Sequence, residues 1–88
     1  MRKLTESEFE SIVSSVVGDM PEVLNVIING FKVDVTFKSN SGKQSWDSYF
    51  DFDELTGKYT GTSPYLGASL PNQFGREISV RIKELLND

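Results

Sequence analysis

Asp51 and Asp53, two carboxylates separated by one residue, are the side chains of this sequence that come nearest to a catalytic pair. On an extended strand such residues share a face, about 7 Å apart along the strand axis, a spacing seen between paired catalytic acids. The 88-residue chain has no histidine and no cysteine, which excludes the usual zinc sites and every histidine-assisted nucleophile. A domain this small also offers few ways to desolvate a carboxylate for acid-base work. We therefore expect no enzymatic activity and no catalytic residue.

The same carboxylates begin a segment, 51–57, that has the acidic spacing of a calcium loop. An EF-hand would place an oxygen ligand where Leu55 stands, and its glycine would come one position before Gly57. A hairpin turn with Gly57 in a left-handed conformation explains the segment better. We expect no bound metal and no cofactor.

The sheet that would position these acids begins with a hairpin, which is predicted from an Asn-Gly pair. Asn29 and Gly30 join two alternating strands between residues 23 and 37, and this pair favours a two-residue type I′ turn. That turn would set Ile28 opposite Phe31 and Val26 opposite Val33. Leu24 would then face Val35, with all six side chains on one apolar face. The other face would carry Val23, Asn25, Ile27, Lys32, Asp34 and Thr36.

The flanking segments predict two helices and two more strands. Thr5 and Glu8 form a capping box that begins a helix over about 6–17, which Gly18 and Pro21 would end. A third strand is predicted at 44–53 and a short fourth strand at 58–62. Apolar positions from about Asn72 onward repeat at helical spacing. They are Phe74, Ile78, Ile82, Leu85 and Leu86.

This order predicts one α+β domain over residues 1–88. Its two layers are a four-stranded antiparallel meander and two helices, the first and the last element, both on one face of the sheet. If residues 39–42 form a four-residue loop, Val35 faces Trp46 and Phe31 faces Phe50. The second face of the sheet is then open.

The predicted register places Asn25, Asp34 and Asp47 side by side on this open face. Like charges directly opposite each other are unfavourable. Three explanations are open: the second loop has another length, Lys32 neutralises the pair from the diagonal, or a partner supplies a cationic group.

Apolar or amphipathic residues accompany those acids on the open face. They are either ordinary surface or a patch for a protein partner, and they are the best interface candidates in the sequence. Tyr65 and Leu66, after Pro64, would either extend the patch or pin the crossing loop. The candidate protein-binding residues are Val23, Ile27, Asp34, Asp47, Tyr49 and Asp51.

A net charge of −4 argues against nucleic acid, which needs a positive patch. We expect a small acidic interaction module, of the inhibitor, immunity or phage-type accessory kind, whose partner is another protein. The alternative is a nucleic-acid or anionic-ligand binder that uses Lys32, Lys38, Lys43 and Tyr49. The acidic N-terminal segment and the lack of long apolar runs or cysteine predict a cytoplasmic protein with no membrane contact. Pairing through the first or fourth strand would give a homodimer.

Overall fold

The computed structural model describes residues 2–38, 42–62 and 69–87. Within them the chain forms two α-helices that flank four consecutive β-strands. The elements are α1 (Glu6–Asp19), β1 (Val23–Asn29), β2 (Lys32–Lys38), β3 (Ser45–Phe52), β4 (Tyr59–Thr62) and α2 (Ser69–Leu86). The strands form one antiparallel sheet in the order β1-β2-β3-β4, so the predicted meander is confirmed.

Both helices cover one face of the sheet, and the core lies between these two layers. Phe9 of α1, Val35 of β2 and Phe74 of α2 are fully buried there, and the helices also contact each other. Arg81 of α2 joins the helices on the outside, where its guanidinium donates to Ser15 Oγ at 2.6 Å and to Asp19 Oδ2 at 3.0 Å. The two-layer α+β architecture is therefore as the sequence predicts. No helix within the described ranges is long and apolar enough to span a membrane.

The first helix begins at the predicted capping box. The Glu8 backbone N–H donates to Thr5 Oγ1 at 3.1 Å, and the Thr5 backbone N–H donates back to Glu8 Oε1 at 3.0 Å. Arg2 adds two charged hydrogen bonds to the same carboxylate, at 2.8 and 3.0 Å. The helix continues through Gly18 to Asp19, so glycine does not end it as predicted.

These hydrogen bonds from Arg2, and then from the Thr5 backbone, lower the pKa of Glu8 from its ordinary 4.5 to about 2. A carboxylate with a lower pKa in the folded state than in the unfolded state stabilises the fold at any pH above the unfolded-state pKa. This stabilisation disappears as the pH falls toward the folded-state pKa. We expect Glu8→Gln to unfold at lower urea concentration than the wild type at neutral pH. The difference should shrink between about pH 4.5 and pH 2. Urea titrations across this range measure it.

Glu10→Gln, the same change at an exposed position of α1 outside the capping box, is the matched control, and its urea midpoint at neutral pH should stay close to that of the wild type. A difference between wild type and Glu8→Gln that stays constant from pH 6 to pH 2 would contradict the assignment.

The first hairpin has a different turn from the one predicted. Asn29 pairs with Lys32, so Gly30 and Phe31 form the two-residue loop, and only Gly30 has positive φ (63°). Positive φ at the first central residue is the signature of a type II′ turn, not of type I′. This turn lets the Phe31 ring lie 5.4 Å from the ring of Phe9. The pairing shifts by two residues, which preserves the face of each residue in the regular part of the hairpin.

A β-bulge changes the start of β1. Val23 pairs with Phe37 and Asn25 pairs with Thr36, so Leu24 is the extra residue. The extra residue reverses the alternation, and Val23 packs against the core while Leu24 is 55% exposed. The predictions that Leu24 faces the core and that Val23 faces away from the helices are therefore wrong.

The second hairpin also departs from the predicted register. Lys38 pairs with Ser45, which leaves six residues between the strands, of which 39–41 lie outside the described residues. Asp34 is opposite Tyr49, whereas Asp47 is opposite Thr36. The two acids are therefore not directly opposite each other. The first of the three explanations is the correct one, because the second loop is longer than the four residues on which the predicted pairing depended.

The third hairpin closes as predicted, with Gly57 at φ 76°. Asp53 lies beyond the end of β3, and its Oδ1 accepts the backbone N–H groups of Leu55 at 2.7 Å and Thr56 at 3.2 Å. Its carboxylate therefore belongs to the turn. The chain then enters β4 and, after residues outside the described ranges, α2, which begins three residues earlier than Asn72. Pro71 is tolerated there because the first turn of a helix has no N–H partner to lose.

Candidate functional site

The open face of the sheet carries one row of side chains that crosses three strands. Ile27 of β1 pairs with Asp34 of β2, and Asp34 pairs with Tyr49 of β3. Residues directly opposite in antiparallel strands point to the same side, so these three side chains are neighbours. We call Ile27, Asp34 and Tyr49 the central row.

The central row combines apolar exposure with a carboxylate. Ile27 is 58% exposed and Tyr49 is 54% exposed, the two most exposed apolar side chains of regular strand pairs in the described sheet. Asp34 between them is half-buried. An acid flanked by an aliphatic and an aromatic group is a surface on which a long basic side chain can lay its stem and pair its charge.

Two further rows border the central row. On one side Lys32 lies opposite Asp51, and on the other Thr36 lies opposite Asp47. Thr36 Oγ1 donates to Asp47 Oδ1 at 2.7 Å, so that carboxylate has a partner within the sheet. Within the described part of the chain, the side chains of Lys32, Asp34 and Asp51 form no ion pair. Ion pairs found there instead join Arg2 to Glu8, Lys3 to Glu54, and Arg81 to both Asp19 and Glu77.

These rows surround a depression of about 490 Å³ on the open face. Ile27, Asp34 and Tyr49 contribute to its lining together with Lys32 and Asp51. Its volume lies in the range of side-chain and small-ligand sites. The depression therefore has room for a side chain from a partner, with both apolar and charged groups in reach.

The structure places five of the six predicted interface residues on this face. Ile27, Asp34 and Tyr49 form the central row, and Asp47 and Asp51 lie on β3 beside it. Val23 does not belong to the face, because the bulge at Leu24 turns it toward the helices. Tyr65 and Leu66 lie outside the described residues. Leu24 is an exposed apolar residue that the alternating pattern assigned to the core, and nothing in the local sequence marks the bulge.

The structure separates Asp51 from Asp53, the two carboxylates whose spacing in the sequence comes nearest to that of a catalytic pair. Asp51 points to the open face, whereas Asp53 accepts the backbone hydrogen bonds of its own turn. Within residues 2–38, 42–62 and 69–87, no group of three or more acidic side chains could hold a metal ion. The buried Ser48 hydroxyl lies on the core side, opposite Val35, and takes no part in this face.

The open face thus offers a half-buried carboxylate between two exposed apolar side chains, an arrangement that can accommodate a group that is cationic and partly apolar. Comparison of the chain with protein-family models, curated protein sequences and solved structures finds no match.

Proposed function

We propose that this chain is a small acidic, non-enzymatic protein-interaction module that binds another protein through the open face of its sheet. The observation that carries the proposal is the central row, in which two exposed apolar side chains flank a half-buried carboxylate. Tyrosine and arginine are common among the anchor residues of protein interfaces, and the row offers a tyrosine beside a carboxylate with which an arginine of a partner would pair. A role as an inhibitor, an immunity protein or a phage-type accessory protein fits such a module.

The chemistry of the row specifies the partner's contact residue. An arginine or lysine would lay its aliphatic stem on Ile27, approach the ring of Tyr49 and pair with Asp34. Arginine suits the site best, because its planar guanidinium both stacks on aromatic rings and binds carboxylates with two hydrogen bonds. The net charge of −4 would favour encounter with a basic partner surface.

The charge pattern of the face favours a protein over nucleic acid. Lys32 and Lys38 of β2 both belong to this part of the sheet, but Asp34 lies between them on the strand. Asp51 and Asp47 lie opposite Lys32 and Thr36 on β3. A phosphate backbone would meet these carboxylates as well as the lysines. The lack of cysteine in the chain supports a cytoplasmic location as part of the proposal.

A capture experiment tests the proposal. Wild-type protein and the double variant Asp34→Asn with Tyr49→Ala are immobilised, exposed to lysate of the source organism with and without nuclease, and compared by quantitative mass spectrometry. We expect a protein that the wild type retains regardless of nuclease and that the variant retains at least about tenfold less, because loss of interface anchors commonly costs 2 kcal/mol or more.

Val80→Ala is the matched control, since Val80 is an exposed apolar residue (45%) on α2, away from the sheet face. It should retain the partner as the wild type does, and circular dichroism should show that all variants are folded. Equal capture by wild type and double variant would refute binding through the central row. Capture that nuclease abolishes would favour the nucleic-acid alternative.

A further inference from the structure

The outer edge of β1 lacks most of the features that prevent strands from pairing with other chains. β1 is the first strand of the sheet, and within the described residues its outer side pairs with no other strand. Natural edge strands carry lysines, prolines or inward charges, or are very short. β1 has seven residues, Val-Leu-Asn-Val-Ile-Ile-Asn, and none is charged or proline. Its single irregularity, the bulge at Leu24, leaves residues 25–29 in regular pairing.

In the regular part of β1, the same residue types follow each other on either side of Ile27. Reading outward from Ile27, the next residues are Val26 and Ile28, both aliphatic, and then Asn25 and Asn29. An interface around a two-fold axis requires this self-complementarity, because each residue meets its counterpart from the other copy. Antiparallel pairing about Ile27 would join aliphatic to aliphatic and amide to amide side chains.

The backbone pattern permits that register. Asn29 and Lys32 close the two-residue turn, so they form a hydrogen-bonded pair, as do Ile27 and Asp34 two residues further along. Ile28 lies between these two pairs and Val26 lies on the other side of Ile27, so both belong to pairs without hydrogen bonds to β2 and direct their N–H and C=O groups outward. About a two-fold axis at Ile27, Val26 of one copy would exchange both hydrogen bonds with Ile28 of the other.

We propose that two copies of this chain pair through β1, antiparallel about a two-fold axis at Ile27, and extend the four-stranded sheet to eight strands. The pairing buries apolar surface on both faces. Val26 and Ile28 are only half-buried at the margin of the core, and Ile27 is 58% exposed on the open face. Contact between the two Ile27 side chains would also join the central rows of both copies into one continuous row.

This dimer goes beyond the proposed partner binding and stands without it. One strand edge gives an interface at the small end of specific ones, below about 1,200 Å², so we expect dissociation in the micromolar range. Sedimentation equilibrium over two decades of concentration should show the mass rise from that of a 9.9 kDa chain toward twice that value and stop there.

Ile27→Lys places two ammonium groups opposite each other at the proposed axis and should weaken dimerisation at least about tenfold. Thr60→Lys, the same charge at an exposed position of the other edge strand, should dimerise as the wild type does. In the wild type, hydrogen exchange should show concentration-dependent protection of the Val26 and Ile28 amides.

A protein that stays monomeric at every concentration would overturn the proposal. So would Ile27→Lys that dimerises like the wild type, or a mass that increases beyond the dimer, which would indicate open-ended strand pairing. Weakening by Thr60→Lys as much as by Ile27→Lys would assign the contact to another surface.

Discussion

Val33→Asp should unfold the domain, whereas Ile27→Asp should leave it folded. Val33 of β2 is 2% exposed and belongs to the core cluster between the sheet and the helices. An aspartate there would bury a carboxylate with no cationic partner, a change that costs at least about 4 kcal/mol. Domains of this size have unfolding free energies of only about 4 to 13 kcal/mol. We expect Val33→Asp to lose its native circular dichroism signal or to unfold at very low urea concentration.

Ile27→Asp is the matched comparison, because the same residue is introduced one strand away on the opposite face. Ile27 is 58% exposed, so its replacement opens no cavity in the core. The new carboxylate would lie opposite Asp34, and like charges on paired strands cost up to about 1 kcal/mol. We expect a small decrease in the urea midpoint. An unfolded Ile27→Asp protein together with a stable Val33→Asp protein would show that the assigned faces are reversed.

These two positions illustrate what alternation in a sequence can predict. The face of a strand residue depends only on whether the register is shifted by an odd or an even number of residues. Both hairpin registers differ from the predicted ones by two residues, so Ile27, Asp34 and Tyr49 remain on the open face. The face could therefore be predicted correctly although each specific cross-strand pair was wrong.

The pairs themselves depend on contacts distant in sequence. The Asn-Gly signal favours a turn with Asn29 and Gly30 at its centre, but the turn forms at Gly30 and Phe31. The Phe31 ring packs 5.4 Å from the ring of Phe9 in α1, and the Phe31 carbonyl accepts the Phe52 N–H at 3.0 Å. A local propensity worth a fraction of a kcal/mol yields to such packing, because aromatic pairs and buried area contribute more.

The bulge at Leu24 is the feature that removes one predicted interface residue, Val23, from the open face. It follows a turn in which the Val23 N–H donates to Met20 O at 3.1 Å, and Met20 is 4% exposed. Because the end of α1 is fixed in the core at Met20, the chain enters β1 at a position that sets Val23 toward the helices. The alternating pattern contains no information on where a preceding helix ends in space, so Val23 was assigned to the wrong face.

Gly57→Ala should destabilise the fold by about 3 kcal/mol, because glycine is required there for two separate reasons. Its φ is 76°, and a left-handed conformation costs a residue with a Cβ about 1 to 2 kcal/mol. The added Cβ would also lie 2.9 Å from Ile82 Cγ2 and 3.3 Å from the Ser79 carbonyl oxygen of α2. Ile82 is fully buried and cannot move aside freely, and overpacking of this kind typically costs 1 to 3 kcal/mol.

Gly42→Ala separates the two contributions. Gly42 has nearly the same φ, 73°, but a Cβ there would meet nothing within 4 Å. Urea denaturation of Gly42→Ala should therefore show the conformational cost alone, about 1 to 2 kcal/mol. If Gly57→Ala and Gly42→Ala lowered the unfolding free energy equally, the β3–β4 loop would have to move away from α2 without an energetic cost.

A double variant identifies the atom responsible. Ile82→Leu removes the Cγ2 methyl group that the new Cβ of Gly57→Ala would meet. If this contact causes the destabilisation, the unfolding free energy of the double variant should exceed the value expected from adding the two single effects. The excess should be at least about 0.5 kcal/mol, because neighbouring changes that relieve each other are not additive. Strict additivity would place the cost in the backbone instead. The contact matters for the open face because the loop at Gly57 joins β3, which carries Tyr49 and Asp51, to β4, and α2 holds that loop from the core side.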